Sequence, residues 1–359
     1  MKVLFYIHAV SGGGGERVLA TLTNVFASQG IKVHLATRLD ASFAYDVDDR
    51  VALHDLYESC DRSFGLLNSL KFRSNIRRIA KSVKPDIIVA FMAAMGCSVI
   101  FSTAGLGIPV IVCEHTNVLR FISHSLNFKR RVLYPFASAV TVLTMHDHDL
   151  LRQRLGNVEY MPNPIRLLEP SNDLMSRRKV VLAVGRVSQW KVKGFDNLIR
   201  CWGKLCYDFP DWKLEIAGDA DDDSKAYLGS LAQECNCINY EFLGFRKDVE
   251  QLMLSSQVFC LSSRVEGLPM ALLEAMNCGC CCVSFDVVTG PRDIIDDNVS
   301  GIIAVNQDND DLTQKLRTVL ADETMRCSLA SKAQSSVRKY SIEHILERWN
   351  VLLDKVTAK

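Results

Sequence analysis

Along all 359 residues, short apolar β-rich runs alternate with longer stretches of helical periodicity. That alternation predicts βαβ units, and such units build parallel sheets with helices on their faces. In the first half the strand-like runs are Lys2–Val10, Lys32–Thr37, Asp86–Phe91, Pro109–Glu114 and Ala139–Thr144, with helical patterns such as Glu16–Gln29 and Leu66–Val83 between them. The pattern then restarts with Val180–Val184, Lys213–Ala217, Tyr240–Leu243, Val258–Leu261 and Cys280–Phe285. Between the two sets lies MPNPIRLLEPSND, rich in proline and asparagine and without periodicity, which predicts a linker over Pro162–Arg178. At roughly 100–200 residues per domain, the length fits two domains. These are Rossmann-like α/β domains over residues 1–165 and 166–340. Ser341–Lys359 reads as a closing helix with an apolar face of Ile345, Trp349 and Leu352 or Leu353, packing back towards the first domain. Doubly wound sheets bind ligands outside the carboxyl ends of their strands, so the two sheets are expected to face each other across a ligand-binding cleft.

Composition narrows the class of partner. A formal net charge of +1 gives no case for nucleic acid. No stretch approaches the roughly 20 apolar residues of a membrane span. The opening KVLFYIHAV runs straight into glycines, without the cleavage site of a signal peptide. The expectation is a cytoplasmic protein, at most peripheral on the inner face of the cell membrane. Thirteen cysteines are present, many inside strand-like runs such as CCCVSF. They read as buried reduced thiols. Cys278 and Cys281 form a C-x-x-C, but no second pair accompanies it, which argues against zinc.

Three segments carry chemistry. Ser11-Gly12-Gly13-Gly14-Gly15-Glu16 follows the first strand and opens a helix, where glycines let a ligand approach the backbone and helix N–H groups favour an anion. It lacks the Gly-Lys-Ser/Thr of a P-loop. Arg17 stands where the dinucleotide fingerprint needs its third glycine. A plain strand-to-helix turn is the alternative. Val184-Gly185-Arg186, followed by Lys191 and Lys193-Gly194, offers cations to a diphosphate, with a solvated basic loop as the alternative. The third, SSRVEGLPMALLEAMNCG, places Glu266 before a helix expected to start near Leu268, with Pro269 in its first turn. Glu274 follows eight residues after Glu266. Carboxylates there suit sugar and ribose hydroxyls, and the N–H groups near Leu268 and Met270 suit a phosphate. A capped amphipathic helix explains Glu274 but not Glu266-Gly267.

The E-x7-E pattern in EGLPMALLEA resembles that of retaining GT-B glycosyltransferases, in particular glycosyltransferase family 4 (group 1). GGGGER, the GR…KG element and SFDVVTGPRDII resemble the same family in the expected order, and the resemblance spans nearly the whole chain. SFDVVTGPRDII is similar to bacterial enzymes of surface-polysaccharide, capsule, lipopolysaccharide or lipid-linked-oligosaccharide synthesis. The resemblance implies a nucleotide-sugar donor, UDP-linked above others, no metal or other cofactor, and a glycan or polyprenyl-diphosphate-linked acceptor. It implies that Arg186 and Lys193 neutralise the diphosphate, Glu274 holds the ribose and Glu266 the donor sugar near the reacting face. Gly13 and Gly14 would approach the phosphates, Leu243-Gly244-Phe245-Arg246 would pack beside the base, and Gly267, Leu268, Pro269 and Met270 would line the phosphate side. His115, ending PVIVCEH, resembles a family position that touches the donor sugar; Glu114 is its neighbour. Lys191-Val192-Lys193 departs from the family as a short insertion, which leaves open which lysine reaches the phosphate.

The reaction so implied is transfer of a hexose or N-acetylhexosamine with retention, by front-side attack, the departing phosphate taking the acceptor proton. Domain closure would complete the site, with hinges near Pro164 and at the final helix. A non-catalytic glycosyltransferase-like subunit and a GT-B sugar-nucleotide epimerase are the rival readings. Three further patterns combine charged or metal-type side chains. His146-Asp147-His148 begins a helix, where residues two apart do not face each other, and the run Asp219–Asp223 sits in a loop; neither reads as a metal site. Lys71, Arg73, Arg77, Arg78, Lys81 and Lys84, together with Lys129-Arg130-Arg131, read either as a solvated face or as a surface for anionic lipid.

Overall fold

The computed structural model describes every residue except 41, 59–65, 119–122, 170–173, 175 and 359. Part of the expected linker, Cys60 and the last residue of the closing helix therefore lie outside the described residues. The chain divides into two compact units, Met1–Asn163 with Ile345–Lys359, and Pro164–His344.

The first unit holds a seven-stranded sheet in the order β3-β2-β1-β4-β5-β6-β7. Its strands are β1 (Lys2–Tyr6), β2 (Lys32–Thr37), β3 (Ala52–Asp55), β4 (Ile87–Phe91), β5 (Val110–Cys113), β6 (Ala139–Val142) and β7 (Val158–Tyr160). Every neighbouring pair is parallel. The central strands are apolar throughout, as sheets covered on both faces require: β4 reads IIVAF and β5 VIVC, every residue buried. Helices α1 (Gly14–Ser28), α2 (Leu66–Val83), α3 (Ala93–Thr103), α4 (His124–Leu133) and α5 (Met145–Arg152) form the crossovers.

The second unit has a six-stranded sheet, β10-β9-β8-β11-β12-β13, also parallel throughout. Its strands are β8 (Arg178–Val184), β9 (Lys213–Ala217), β10 (Tyr240–Gly244), β11 (Ser256–Leu261), β12 (Cys281–Phe285) and β13 (Ile302–Ala304). Its helices are α6 (Trp190–Lys193), α7 (Phe195–Gly203), α8 (Asp222–Glu234), α9 (Val249–Ser255), α10 (Met270–Asn277), α11 (Pro291–Ile294), α12 (Asn309–Ala321) and α13 (Glu323–Ser336). Trp202, Leu198, Leu214, Val258 and Phe285 are among the buried side chains of its core.

Helix α14 (Ile342–Thr357) supplies the remainder of the first unit from Ile345 onward. Its buried face is Ile345, Leu346, Trp349, Leu352, Leu353 and Val356, with Trp349 edge-on to Phe26 at 6.3 Å. Arg348 donates to the Tyr160 carbonyl, and Lys355 pairs with Glu159 at 2.5 Å.

The strand ends differ from the expected ones for local reasons. β1 stops at Tyr6, four residues before Val10. Asp86 precedes β4 because its carboxylate accepts the Lys2 N–H at 2.6 Å. Thr144 leaves β6 to cap α5 through its hydroxyl, which accepts from Asp147 N. Strands β3, β7 and β13 were not expected at all. Among the described residues the cysteines are free, and burial pushes the Cys280 and Cys281 thiols up to about 12. These thiols are packing groups, poor in the reactive thiolate form.

Candidate active site

Each sheet reverses its strand order once, and ligands of such sheets bind at that point. In the second unit the reversal lies between β8 and β11. The carboxyl end of β8 leads into Gly185 and Arg186, and that of β11 into Ser262–Glu266. Two of the sequence segments, far apart in the chain, therefore meet at the position where the topology opens a crevice.

After Arg186 the chain makes a single 3-10 turn over Val187–Gln189 and enters α6. This is the structural form of the inserted residues. The short helix turns its two lysines different ways. Lys191 Nζ lies 5.2 Å from the centre of the Trp190 ring, itself stacked on Tyr227 at 4.3 Å. Lys193 Nζ instead reaches Glu266 Oε1 at 2.8 Å. The Lys193 and Glu266 side chains are only 25% and 10% exposed, so the pair is partly shielded from water. Lys193 is thus the lysine beside the carboxylate, and Lys191 the one over the Trp190 ring.

Gly194 ends α6 at a φ of +66°. A Cβ there would lie 1.8 Å from the Ser262 carbonyl oxygen, so only glycine lets this turn approach the end of β11. Ser262 Oγ in turn donates to the Lys193 carbonyl at 3.0 Å. Arg264 N donates to the Val192 carbonyl, and its guanidinium grips both oxygens of Asp196 at 2.7 and 2.8 Å. The two loops are laced together by main-chain and side-chain bonds, which fixes Lys193 against Glu266.

Glu266 has further partners that the sequence did not disclose. Ser263 Oγ donates to its carboxylate at 2.6 Å, and Thr289 Oγ1 donates to its carbonyl at 2.5 Å. Gly290, at a φ of +98°, lies so close that a Cβ would come within 2.4 Å of the Gly267 carbonyl oxygen. The segment SFDVVTGPRDII is therefore a brace behind the Glu266 turn, closed on its own side by Arg292 on Asp286. The clue was the Thr-Gly-Pro run, which marks a tight turn but not what it packs against.

Helix α10 starts at Met270, two residues later than expected. Pro269 stands before the first turn rather than in it, its carbonyl accepting from Leu272 and Leu273. Leu268 and Pro269 are buried. What this turn offers a ligand is the main chain of Gly267 and the first N–H groups of α10, beginning with Met270. Glu274 lies in the middle of α10, partly exposed. Phe245, at the carboxyl end of the edge strand β10, is 69% exposed, while Arg246 is held by Asp248 at 2.8 and 2.5 Å.

In the first unit the reversal lies between β1 and β4. In the glycine loop the N–H groups expected to face a phosphate have an internal acceptor. The N–H groups of Gly12 and Gly13 donate to Glu16 Oε2 at 2.6 and 3.1 Å. A side chain of the loop itself thus occupies the anion position at Gly13, the usual use of an acidic group in a first helical turn. Gly14 is exposed at the helix start. Gly15 packs tightly: a Cβ would come within 2.7 Å of Met92 Cε and 3.3 Å of His115 Cβ. This contact joins the glycine loop, the end of β4 and the end of β5.

His115 stacks on Phe91 with ring centres 4.7 Å apart. Its Nδ1 is enclosed and has no partner among the described residues. Burial lowers its pKa to about 4, so the ring is neutral at pH 7. The unfolded chain, with the ordinary histidine value near 6.5, binds the proton first. The stability His115 contributes is therefore full above about pH 6.5 and is lost as pH falls towards about 4. Denaturant midpoints from pH 4 to 7 are expected to rise less steeply in His115→Gln than in the parent. Equal slopes would contradict the neutral assignment.

Glu114 is structural. Its carboxylate accepts from the Tyr134 hydroxyl and pairs with Arg130 at 2.8 Å, all three side chains being buried. Asp147 is buried as well and accepts from Val118 N at 3.3 Å. This network fastens the segment that follows β5 to α4 and α5. Of the other patterns, His148 pairs with the adjacent Asp149 at 2.9 Å, and Asp221 caps α8 by accepting from Ser224 N at 2.7 Å.

With this geometry in view, comparison with known proteins is decisive. The family description "Glycosyltransferase Family 4" matches residues 12–168, and "Glycosyl transferases group 1" matches residues 166–336. The chain belongs to these glycosyltransferases. An undecaprenol-diphosphate-glycan α-1,4-N-acetyl-D-galactosaminyltransferase of Campylobacter jejuni is 29% identical, over 99% of both chains. The amylovoran biosynthesis glycosyltransferase AmsD of Erwinia amylovora is also 29% identical, over 98% of this chain and 99% of its own. The structure of HepE from Anabaena superposes with a TM-score of 0.80 over 99% of each chain at 19% identity. The fold of this glycosyltransferase is accordingly GT-B, a pair of parallel-sheet α/β domains.

Proposed function

We propose that this glycosyltransferase moves a hexose or N-acetylhexosamine from a UDP-sugar to a hydroxyl of a lipid-linked glycan, with retention of anomeric configuration, in bacterial polysaccharide or lipopolysaccharide synthesis. The observation that carries the donor half is the Lys193–Glu266 contact at the β8/β11 reversal, with Arg186 at the same strand end. A departing diphosphate develops charge as the glycosidic bond breaks, and fixed cations and helix N–H groups stabilise that charge most where water is restricted. Arg186, Lys193 and the first turn of α10 are the groups assigned to it. Glu266, held by Ser263 and Lys193, accepts hydroxyls of the donor sugar. Glu274 accepts those of the ribose, and the open face of Phe245 suits the base.

No carboxylate is assigned as a covalent nucleophile. The acceptor hydroxyl attacks from the face that the diphosphate leaves, and the proton passes to the departing phosphate oxygen. UDP is favoured because HepE was crystallised with UDP and glucose. The lipid-linked acceptor is favoured by the name of the Campylobacter relative, and polysaccharide synthesis by that of AmsD. Such an acceptor would bring the enzyme to the inner membrane face. Among the described residues no helix is long and apolar enough to cross a membrane.

The test is the stereochemistry of the product. Transfer from an α-linked UDP-sugar, with EDTA present, is expected to give an α-glycoside by proton NMR. A β-glycoside would overturn the retaining mechanism, and activity restored only by a divalent cation would overturn the assignment of diphosphate charge to Arg186 and Lys193. Interconversion of the sugar nucleotide without acceptor would favour an epimerase.

A further inference from the structure

Helices α2, α3 and α4 pack side by side on one face of the first unit. Together they contain no aspartate or glutamate. Three of their basic side chains are already engaged, Arg78 with the exposed carboxylate of Glu58. Arg130 is buried against Glu114, and Arg77 Nη1 donates to the carbonyls of Ser102 and Ala104 at 2.8 and 2.9 Å. Lys71 and Lys81 of α2 and Lys129 and Arg131 of α4 remain exposed.

The same face exposes large apolar groups. Phe128 and Val132 lie one helical turn apart on α4, and Phe136 follows at the same spacing in the 3-10 turn Tyr134–Phe136. They are 68%, 45% and 75% exposed, and Phe101 of α3 is 57% exposed. Phe101 and Phe136 wall a groove of 400 Å³ that Ile100, Ile108, Val110 and Leu133 also line. The Arg73 guanidinium lies 4.9 Å from the Phe101 ring, which places a cation at the groove's rim.

We propose that this face docks the enzyme on an anionic phospholipid bilayer. Phe128, Val132 and Phe136 insert at the acyl boundary, and the exposed lysines of α2 with Lys129 and Arg131 of α4 meet the headgroups. A solvated helix normally intersperses charges of both signs, and apolar groups of this size seldom cluster in the open. Three neighbouring helices with no carboxylate of their own, around exposed aromatic groups, supply the two signals, apolar insertion and basic charge, that stable membrane attachment takes. This inference rests on the proposed lipid-linked acceptor only in its last readout.

The test is co-flotation of the full chain with phosphatidylcholine vesicles, with and without 30% phosphatidylglycerol. Binding to the anionic vesicles is expected to be at least tenfold stronger and to weaken with salt. Lys129→Glu/Arg131→Glu should lose about fivefold or more per side chain on the anionic vesicles. Phe128→Ser/Phe136→Ser should lose binding of comparable size at unchanged charge. Both variants should keep the parent melting temperature and the parent rate of donor hydrolysis in solution, while transfer to an acceptor embedded in vesicles falls. Equal binding of parent and variants, or no binding by the parent, would overturn the proposal. So would a lipid-free dimer that these substitutions dissolve, since the face would then be covered by a second copy. Loss of donor hydrolysis in the parent itself would count against the proposed function and leave the vesicle result standing.

Discussion

Lys193→Ala is expected to lower the turnover of sugar transfer by about 10²- to 10³-fold, the usual cost of deleting one fixed group that stabilises developing negative charge. Two effects act together. The ammonium 2.8 Å from Glu266, proposed above for the donor diphosphate, is lost, and among the described residues the 10% exposed carboxylate keeps only Ser263 as a side-chain partner. Removing one member of such a shielded pair leaves the other charge uncompensated. Lys191→Ala is the control. Its ammonium lies over Trp190 instead of at the carboxylate, so turnover should stay within about threefold of the parent, as for surface groups outside the site. Steady-state kinetics on the two variants decides between the lysines. The reverse ranking would mean that α6 rotates when donor binds.

Gly194→Ala is expected to destabilise the second unit by about 3 kcal/mol or more, in the range of backbone strain plus overpacking. The φ of +66° is unfavourable for alanine, and the new Cβ would lie 1.8 Å from a backbone oxygen that is fixed in the β11 turn. For a unit of this size such a loss lowers the melting temperature by about 6–12 °C. Activity should fall with it, because relief requires α6 to move away from Ser262 and to take Lys193 along. Gly229→Ala supplies the contrast. Gly229 lies inside α8, and a Cβ there meets nothing within 4 Å, so helix propensity alone should leave the protein unchanged or slightly more stable. Calorimetry on both proteins gives the comparison. Equal melting temperatures would show that the turn at Gly194 relaxes without cost.

The sequence was most informative where a single physical pressure acted. The buried central strands β4, β5 and β11 announce themselves through apolar runs, and α2 lies over Leu66–Val83 as its periodicity predicts. Strand β3 reads Ala-Leu-His-Asp, with none of these residues buried, because it is an edge strand with few contacts to dictate its composition. Strands β7 and β13 are three residues long, too short for any alternation to register. At the site, Glu266 and the two candidate lysines were legible as charges in a glycine-bounded loop. Which lysine sits beside Glu266 was not, since it depends on the 3-10 turn over Val187–Gln189 that leads into α6. Ser263, Thr289 and Gly290 were missed because each acts through a contact that only the tertiary structure makes. The Glu16 carboxylate takes the Gly12 and Gly13 N–H groups that the glycine run offers to an anion, a local contact that the run by itself does not reveal.

The most direct test of the account is calorimetric titration of UDP, GDP and ADP into the parent protein with EDTA present, repeated on Lys193→Ala and Glu274→Gln. The account predicts that UDP binds with a Kd in the micromolar to sub-millimolar range usual for substrates, and that each substitution weakens it at least tenfold. Absence of binding by any of the three nucleotides, or UDP binding that neither substitution alters, would contradict the placement of the donor site at the β8/β11 reversal.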